Sequence, residues 1–150
     1  MRKLGLVIVL ILFQSNSYKS TLKKTVCFQC KSIYRVHLSL PNQNFVHSTH
    51  EYEEGHFETF QFKDLSRIVV HCGAMQKIPI LGNENYKEQD ITIVEKKRIR
   101  RGVKERLNKH WREDNYFNGI SIYFDNVHDS ALTKYNLTLD SLVIVTVDGS

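Results

Sequence analysis

The chain is short of cysteine and proline and has no long apolar run, and each shortage excludes a class of protein. Its 150 residues include three cysteines, two prolines and seven glycines. Three cysteines form at most one bridge within the chain, which excludes a small disulfide-framework protein. The low proline and glycine content, with 41% hydrophobic residues, is typical of a folded protein. The apolar runs 4–13 and 142–147 fall short of the roughly 20 residues that span a membrane.

Motifs that carry catalysis or bind a cofactor are also lacking. No Gly-x-Ser-x-Gly nucleophile turn occurs, although serines and acids are plentiful. Cys27 and Cys30 have the spacing of half a zinc site, but no second pair of ligands follows at comparable spacing. His47 and His50 begin a histidine-rich stretch, yet residues three apart on a strand point to opposite faces. We therefore predict a non-enzymatic protein with no catalytic residue, no cofactor and no metal site.

What is present begins with a stretch typical of a secretory signal peptide. Two basic residues precede the apolar run 4–13, and small polar residues follow it. We predict cleavage after Ser17, so that residues 1–17 form the signal peptide and residues 18–150 a single secreted domain. The protein is then extracellular, and its cysteines mature under oxidising conditions.

Alternation of apolar and polar residues dominates the rest of the chain and predicts strands. Apolar residues occupy even positions between Val26 and Leu40, and this period of two is typical of a strand with one buried face. Further short strands separated by turn residues follow, and residues 73–89 are predicted to be largely loop. The fold class predicted from this pattern is mainly β, a β-sandwich of seven to eight strands.

One amphipathic helix is predicted late in the chain, at about residues 96–112. Ile99, Val103, Leu107 and Trp111 recur every four residues and form one apolar stripe. The same segment carries nine Lys or Arg residues and a single acid, Glu105, which gives it a charge of +8.

This cationic segment has three interpretations. The first is a surface helix whose stripe docks on the sheet while Lys104, Arg106, Lys109 and Arg112 face water. The second is binding to an anionic partner: a sulfated glycan, a lipid headgroup or an acidic protein patch. Export disfavours nucleic acid as that partner. The residues predicted to make the contact are Lys97, Arg98, Arg100, Arg101, Lys104 and Lys109. The third is proteolytic cleavage, since residues 98–101 resemble a furin-type site. Because all three cysteines precede this site, no disulfide would hold the two predicted strands that follow it after cleavage.

A disulfide between Cys30 and Cys72 is predicted from the strand pattern. Both cysteines share a strand face with apolar neighbours, so both point toward the proposed core. The bridge would close a loop of about 40 residues and contribute about 3 to 4 kcal/mol. Cys27 is left over, either as a free thiol or paired between chains.

A glycosylation sequon is formed by Asn136, Leu137 and Thr138. In an exported eukaryotic protein such a sequon implies a surface position for the asparagine. Asn136 is therefore the candidate glycosylation site of this chain.

Residues 25–95 resemble the secreted transthyretin-like proteins of nematodes. The resemblance rests on Gly55-His56-Phe57, on the apolar strand from Ile68 to Cys72, and on Ile78-Pro79, which occur in that order. It implies a β-sandwich and an extracellular, non-enzymatic role in binding a ligand or partner, and it supplies no catalytic residue. Residues 96–150 have no counterpart in it.

The sequence thus predicts a secreted binding or signalling protein that contacts an anionic partner. Two alternatives stay open. One is a small secreted enzyme or inhibitor with its site in the loop 73–89. The other is a structural or oligomerising protein, for which the unpaired cysteine would provide a link between chains.

Overall fold

The computed structural model describes residues 22–73, 86–104 and 106–147. Ten strands and one helix lie in these ranges. The strands before the first gap are β1 (Leu22–Cys30), β2 (Tyr34–Pro41), β3 (Phe45–Tyr52), β4 (Gly55–Phe62) and β5 (Arg67–Gly73). The elements after it are β6 (Tyr86–Val94), β7 (Lys97–Lys104), β8 (Lys109–Tyr116), β9 (Ile120–Val127), helix α1 (Asp129–Asp140) and β10 (Val143–Thr146).

The strands form two antiparallel sheets, which confirms the mainly-β sandwich with one helix late in the chain. The smaller sheet has the order β1-β2-β10, and the larger has the order β3-β4-β5-β9-β8-β7-β6. Most neighbours are joined by short hairpins, while β9 returns to pair with β5 and β10 returns to pair with β2. The described strands outnumber the seven to eight predicted, because the segment expected to form the helix forms two strands instead.

The main core lies where the smaller sheet and α1 meet one face of the larger sheet. Val36, Leu38 and Leu40 of β2 are fully buried, as the alternation at even positions predicts. They share the core with Phe60, Ile122 and Phe124 of the larger sheet and with Tyr135 and Leu139 of α1. Burying a large apolar side chain stabilises a fold by about 1.5–3 kcal/mol, so this layer contributes most of the driving force.

The predicted disulfide between Cys30 and Cys72 is confirmed. It joins β1 to β5, and both cysteines are fully buried in the main core. The bridge therefore ties the smaller sheet to the larger one. Cys27, three residues before Cys30 on the same strand, is exposed and has a free thiol.

The predicted helix at 96–112 is wrong, because β7 and β8 form an antiparallel hairpin there. A spacing of four is an even number, so it also keeps residues on one face of a strand. Gly102 adds a reason to prefer the hairpin: a Cβ at this position would lie 1.8 Å from the carbonyl oxygen of Lys87. Only glycine permits the close pairing of β6 with β7, and a glycine inside a helix costs about 1 kcal/mol.

The helix that does form, α1, was not predicted from the sequence. Leu132, Tyr135 and Leu139 recur at helical spacing, and the last two are fully buried against the core. Asp129 in the first turn favours the helix because its negative charge is attracted to the positive end of the helix dipole. Among the residues that the structure describes, no helix has the length and apolar content needed to cross a membrane.

Several predictions fall on residues outside the described ranges. These are the signal peptide at 1–17, the Ile78-Pro79 step of the transthyretin-like resemblance, and most of the predicted loop at 73–89. Of that loop, Gly73 ends β5 and residues 86–89 begin β6.

Candidate functional site

The hairpin of β7 and β8 places the six predicted contact residues on two opposite faces. Side chains alternate along a strand, and the face of β7 that meets α1 is identified by Lys97, which lies near Asp140 of α1. Two of the six lie on this α1 face: Lys97 and Arg101. The other four lie on the opposite face: Arg98, Arg100, Lys104 and Lys109. The structure therefore does not bring the six cations into one surface.

Within the described part of the chain, Lys97 and Arg100 are seen to bind carboxylates of the protein itself. Lys97 Nζ donates to Asp114 Oδ2 at 2.8 Å, and the Arg100 guanidinium pairs with Glu88. Burial by itself lowers the pKa of Lys97, but the hydrogen bond and charge of Asp114 outweigh it and raise that pKa. Lys97 thus stays charged to satisfy a buried acid, and we assign it a structural role.

Arg112 is the centre of a buried ionic network between β8 and α1. The Nε and Nη2 atoms of Arg112 donate to the two oxygens of Asp114 at 2.7 and 2.8 Å. Nη2 also donates to Asp140 at 2.6 Å, and Nη1 donates to the side-chain oxygen of Asn136 at 3.1 Å. Arg112 is 1% exposed and Asp114 is fully buried. The expectation that Arg112 faces water is wrong, because the hairpin turns it toward α1.

A cluster of cations remains at the end of the hairpin, and we call Lys104, Arg106 and Lys109 the cationic tip. Lys104 and Lys109 are directly opposite each other across β7 and β8, and Arg106 lies in the turn between them with a left-handed φ of 66°. Like charges directly opposite each other destabilise a strand pair. Within the described ranges, no carboxylate lies within salt-bridge distance of Arg106 or Lys109. Lys104 Nζ donates to the side-chain oxygen of Asn126 at 3.3 Å.

Glu113 lies on the face of the hairpin opposite α1 and is fully buried. Its Oε1 accepts a hydrogen bond from Asn115, while its Oε2 has no hydrogen-bond partner among the described residues. Burial raises the pKa of Glu113, and the hydrogen bond from Asn115 and the charges of Arg100 and Arg98 oppose this effect without cancelling it. Arg98 and Arg100 therefore partly serve to offset a buried acid.

The raised pKa of Glu113 predicts that this residue makes the protein less stable as the pH rises. Above the ordinary value of 4.5 the unfolded carboxyl loses its proton while the native one keeps it, so the free energy of unfolding falls until the native pKa is passed. Glu113→Gln keeps an acceptor for Asn115 and carries no charge. In urea denaturation, its stability relative to wild type should therefore increase from pH 4 to pH 7.5. The exposed control Glu53→Gln should show no such trend.

The histidine-rich stretch converges on one buried acid. Glu58 accepts hydrogen bonds from His47 Nε2 at 2.6 Å and from the Thr49 hydroxyl at 2.8 Å, and His56 Nε2 lies 3.4 Å from its other oxygen. His50 lies on the opposite face of β3, as strand geometry predicts. In the described part of the chain, no three His, Cys, Asp or Glu side chains are arranged to hold a metal ion.

The thiol of Cys27 is exposed, whereas the sequon asparagine Asn136 is half-buried. Cys27 Sγ lies 3.8 Å from His37 Nε2 on the outer face of the smaller sheet.

Asn136, the sequon asparagine, lies in α1, where it is half-buried and accepts a hydrogen bond from Arg112. Thr138 of the sequon is fully buried, and its hydroxyl donates to the carbonyl of Lys134. A glycan at Asn136 would therefore have to be attached before α1 packs on the sheet.

The sequence identified most of the cations of the hairpin but not their separation into paired, buried and exposed groups. That separation depends on which strand lies beside β7 and on the position of α1. No family model, curated protein or solved structure matches this chain, so the transthyretin-like resemblance remains a prediction.

Proposed function

We propose that this protein is a secreted, non-enzymatic binding protein that engages an anionic partner through its cationic tip. The observation that carries the proposal is the pairing of Lys104 with Lys109 around Arg106. Their positive charges are gathered with that of Arg106 at the end of the hairpin, and the combined potential would attract an anion. Leu107 in the same turn is 53% exposed and adds an apolar contact beside the charges.

Export is supported by two independent features of the chain. The first is the basic, apolar and small-polar order of residues 1–17. The second is the buried Cys30–Cys72 bridge, since such disulfides persist in oxidising compartments and are rare in the cytosol. A sulfated glycan, an anionic lipid surface or an acidic protein patch would each be accessible to a secreted protein.

Neutralising the cationic tip should weaken binding to a polyanion. We expect the triple variant Lys104→Ala, Arg106→Ala, Lys109→Ala to bind heparin about tenfold more weakly at 0.15 M salt, because each exposed ion pair contributes a few tenths of a kcal/mol or more. Wild-type binding should itself disappear near 1 M salt, where the Debye length falls to about 3 Å. Elution position on heparin and titration calorimetry measure both effects.

A matched control removes three exposed cations from elsewhere. The triple variant Lys24→Ala, Arg35→Ala, Lys63→Ala has the same net charge as the tip variant, and its substitutions lie on β1, β2 and the turn after β4. It should retain heparin affinity within about twofold of wild type. Equal weakening of both triples would show that net charge alone governs binding and would contradict a role for the tip. Vesicles with and without anionic lipid distinguish a glycan from a membrane surface.

A further inference from the structure

A pocket of about 260 Å³ lies between the hairpin and α1, and its lining does not include Lys104, Arg106 or Lys109. Its walls come from β6, β7, β8, β9 and α1. The residues that line it are Asp90, Arg101, Gly102, His110, Trp111, Arg112, Phe124, Leu132 and Asn136. An apolar pocket with a few convergent polar groups is the usual form of a small-molecule site.

Arg101 is the cation of the pocket that could bind an anionic ligand. It is exposed, and it has no hydrogen bond or ion pair among the described residues. Its cross-strand neighbours on the same face are Arg112 on one side and Asp90 on the other. Arg112 already donates hydrogen bonds to Asp114 and Asp140, so carboxylates of the protein neutralise its charge. Arg101 thus presents a guanidinium at the pocket without a bound carboxylate.

Asn136 supplies the second donor. Its side-chain oxygen accepts a hydrogen bond from Arg112 Nη1 at 3.1 Å, which orients the amide. Its Nδ2 group then has two hydrogens and no acceptor among the residues described. A guanidinium and an amide NH₂ together form a site for a carboxylate, while Phe124 and Leu132 provide apolar walls.

We propose that this pocket binds a small carboxylic acid with an apolar body. The carboxylate accepts hydrogen bonds from Arg101 and from Asn136 Nδ2, and the apolar body packs against Phe124 and Leu132. Asp90, opposite Arg101 on β6, is placed to accept from an ammonium group, so α-amino acids with an apolar side chain belong to the same ligand class. This inference goes beyond the proposed function, because it concerns a small molecule and residues outside the cationic tip.

The test titrates phenylacetate into the full chain, produced without N-linked glycan. We expect saturable binding in calorimetry, with shifts of the Asn136 side-chain NH₂ and Arg101 Nε–H signals in ¹⁵N NMR spectra. Arg101→Ala should weaken binding roughly tenfold or more, since it removes a charge-assisted hydrogen bond. Arg98→Ala, an exposed arginine on the opposite face of the same strand, should leave the affinity within about twofold.

A second variant tests the amide donor and keeps the contact with Arg112. Asn136→Asp retains an oxygen acceptor for Arg112 but replaces the Nδ2 donor with a second oxygen, so phenylacetate binding should be lost. Unchanged circular dichroism and melting temperature would show that the fold is intact. Equal affinity of wild type and Asn136→Asp would overturn the proposal.

Four further probes define the ligand class. Inorganic sulfate and 2-phenylethanol should bind at least tenfold more weakly than phenylacetate, because sulfate lacks the apolar body and 2-phenylethanol lacks the carboxylate. Tighter binding of phenylalanine than of phenylacetate would support the contact with Asp90. The proposal would be overturned by binding of 2-phenylethylammonium as tight as that of phenylacetate, or by no binding of either acid. None of these results depends on heparin binding, so the two proposals fail separately.

Discussion

Replacing Arg112 with leucine should lower the free energy of unfolding by about 3–5 kcal/mol, the cost of removing one partner of a buried ion pair. Asp114, its main partner, is fully buried and accepts two hydrogen bonds from the guanidinium. Lys97 would remain as a single donor to this carboxylate. The leucine variant therefore leaves a buried charge without two of its three side-chain hydrogen bonds. Urea denaturation at pH 7 measures the loss.

The arginine directly opposite provides a matched control. Arg101 is the cross-strand neighbour of Arg112 on the same face, but it is exposed and has no ion pair in the described residues. Arg101→Leu should therefore change the free energy of unfolding by no more than about 0.5 kcal/mol. A comparable loss in both variants would show that the effect comes from the strand position and not from the buried network.

A double variant distinguishes the cost of leaving the charge of Asp114 unpaired from the cost of losing the packing of the Arg112 side chain. Removing Asp114 together with Arg112, as Arg112→Leu with Asp114→Leu, eliminates both buried charges, and such replacements are often close to neutral. We expect the double variant to recover part of the stability that Arg112→Leu loses. If it is less stable than the single variant, the main contribution of Arg112 is the packing of its side chain.

The second large effect is expected from the disulfide. Replacing both Cys30 and Cys72 with alanine should cost about 4 kcal/mol, because a bridge across 42 residues restricts the unfolded chain. The bridge also joins the two sheets, so its loss should let the smaller sheet separate more readily. Guanidinium denaturation without reductant gives the difference, and reducing the wild-type protein should produce a loss of similar size.

Cys27 is the control for this experiment. It is exposed and does not take part in the bridge, so Cys27→Ala should change the free energy of unfolding by no more than about 0.5 kcal/mol. A large loss on replacing Cys27 would show that bridges other than Cys30–Cys72 form in solution. Peptide mapping without reduction would then identify them.

The hairpin of β7 and β8 shows why local spacing misled the prediction of a helix. Ile99 and Val103 are four apart, and this spacing satisfies the helical period and the strand period alike. The signal against a helix was Gly102 within the segment. It became decisive only through pairing, where β6 approaches Gly102 and a side chain would collide with the carbonyl of Lys87.

The candidate site was predictable in composition but not in arrangement. The charge of residues 96–112 is evident from the sequence, and the anionic partner inferred from it stays a prediction. The ionic network was not, because Arg112, Asp114 and Asp140 come together only when α1 packs against β8. The same packing creates the pocket beside Arg101, which no local pattern marks.

The sequence by itself determined which side chains of β1, β2 and β5 face inward, and from that the Cys30–Cys72 bridge. Alternation between polar and apolar residues is a local property, and a period of two assigns faces without knowledge of the neighbouring strands. Only the tertiary structure decided which charges pair and which stay exposed. Ion pairs depend on register and on elements distant in the chain, as when Asp140 of α1 reaches Arg112 of β8.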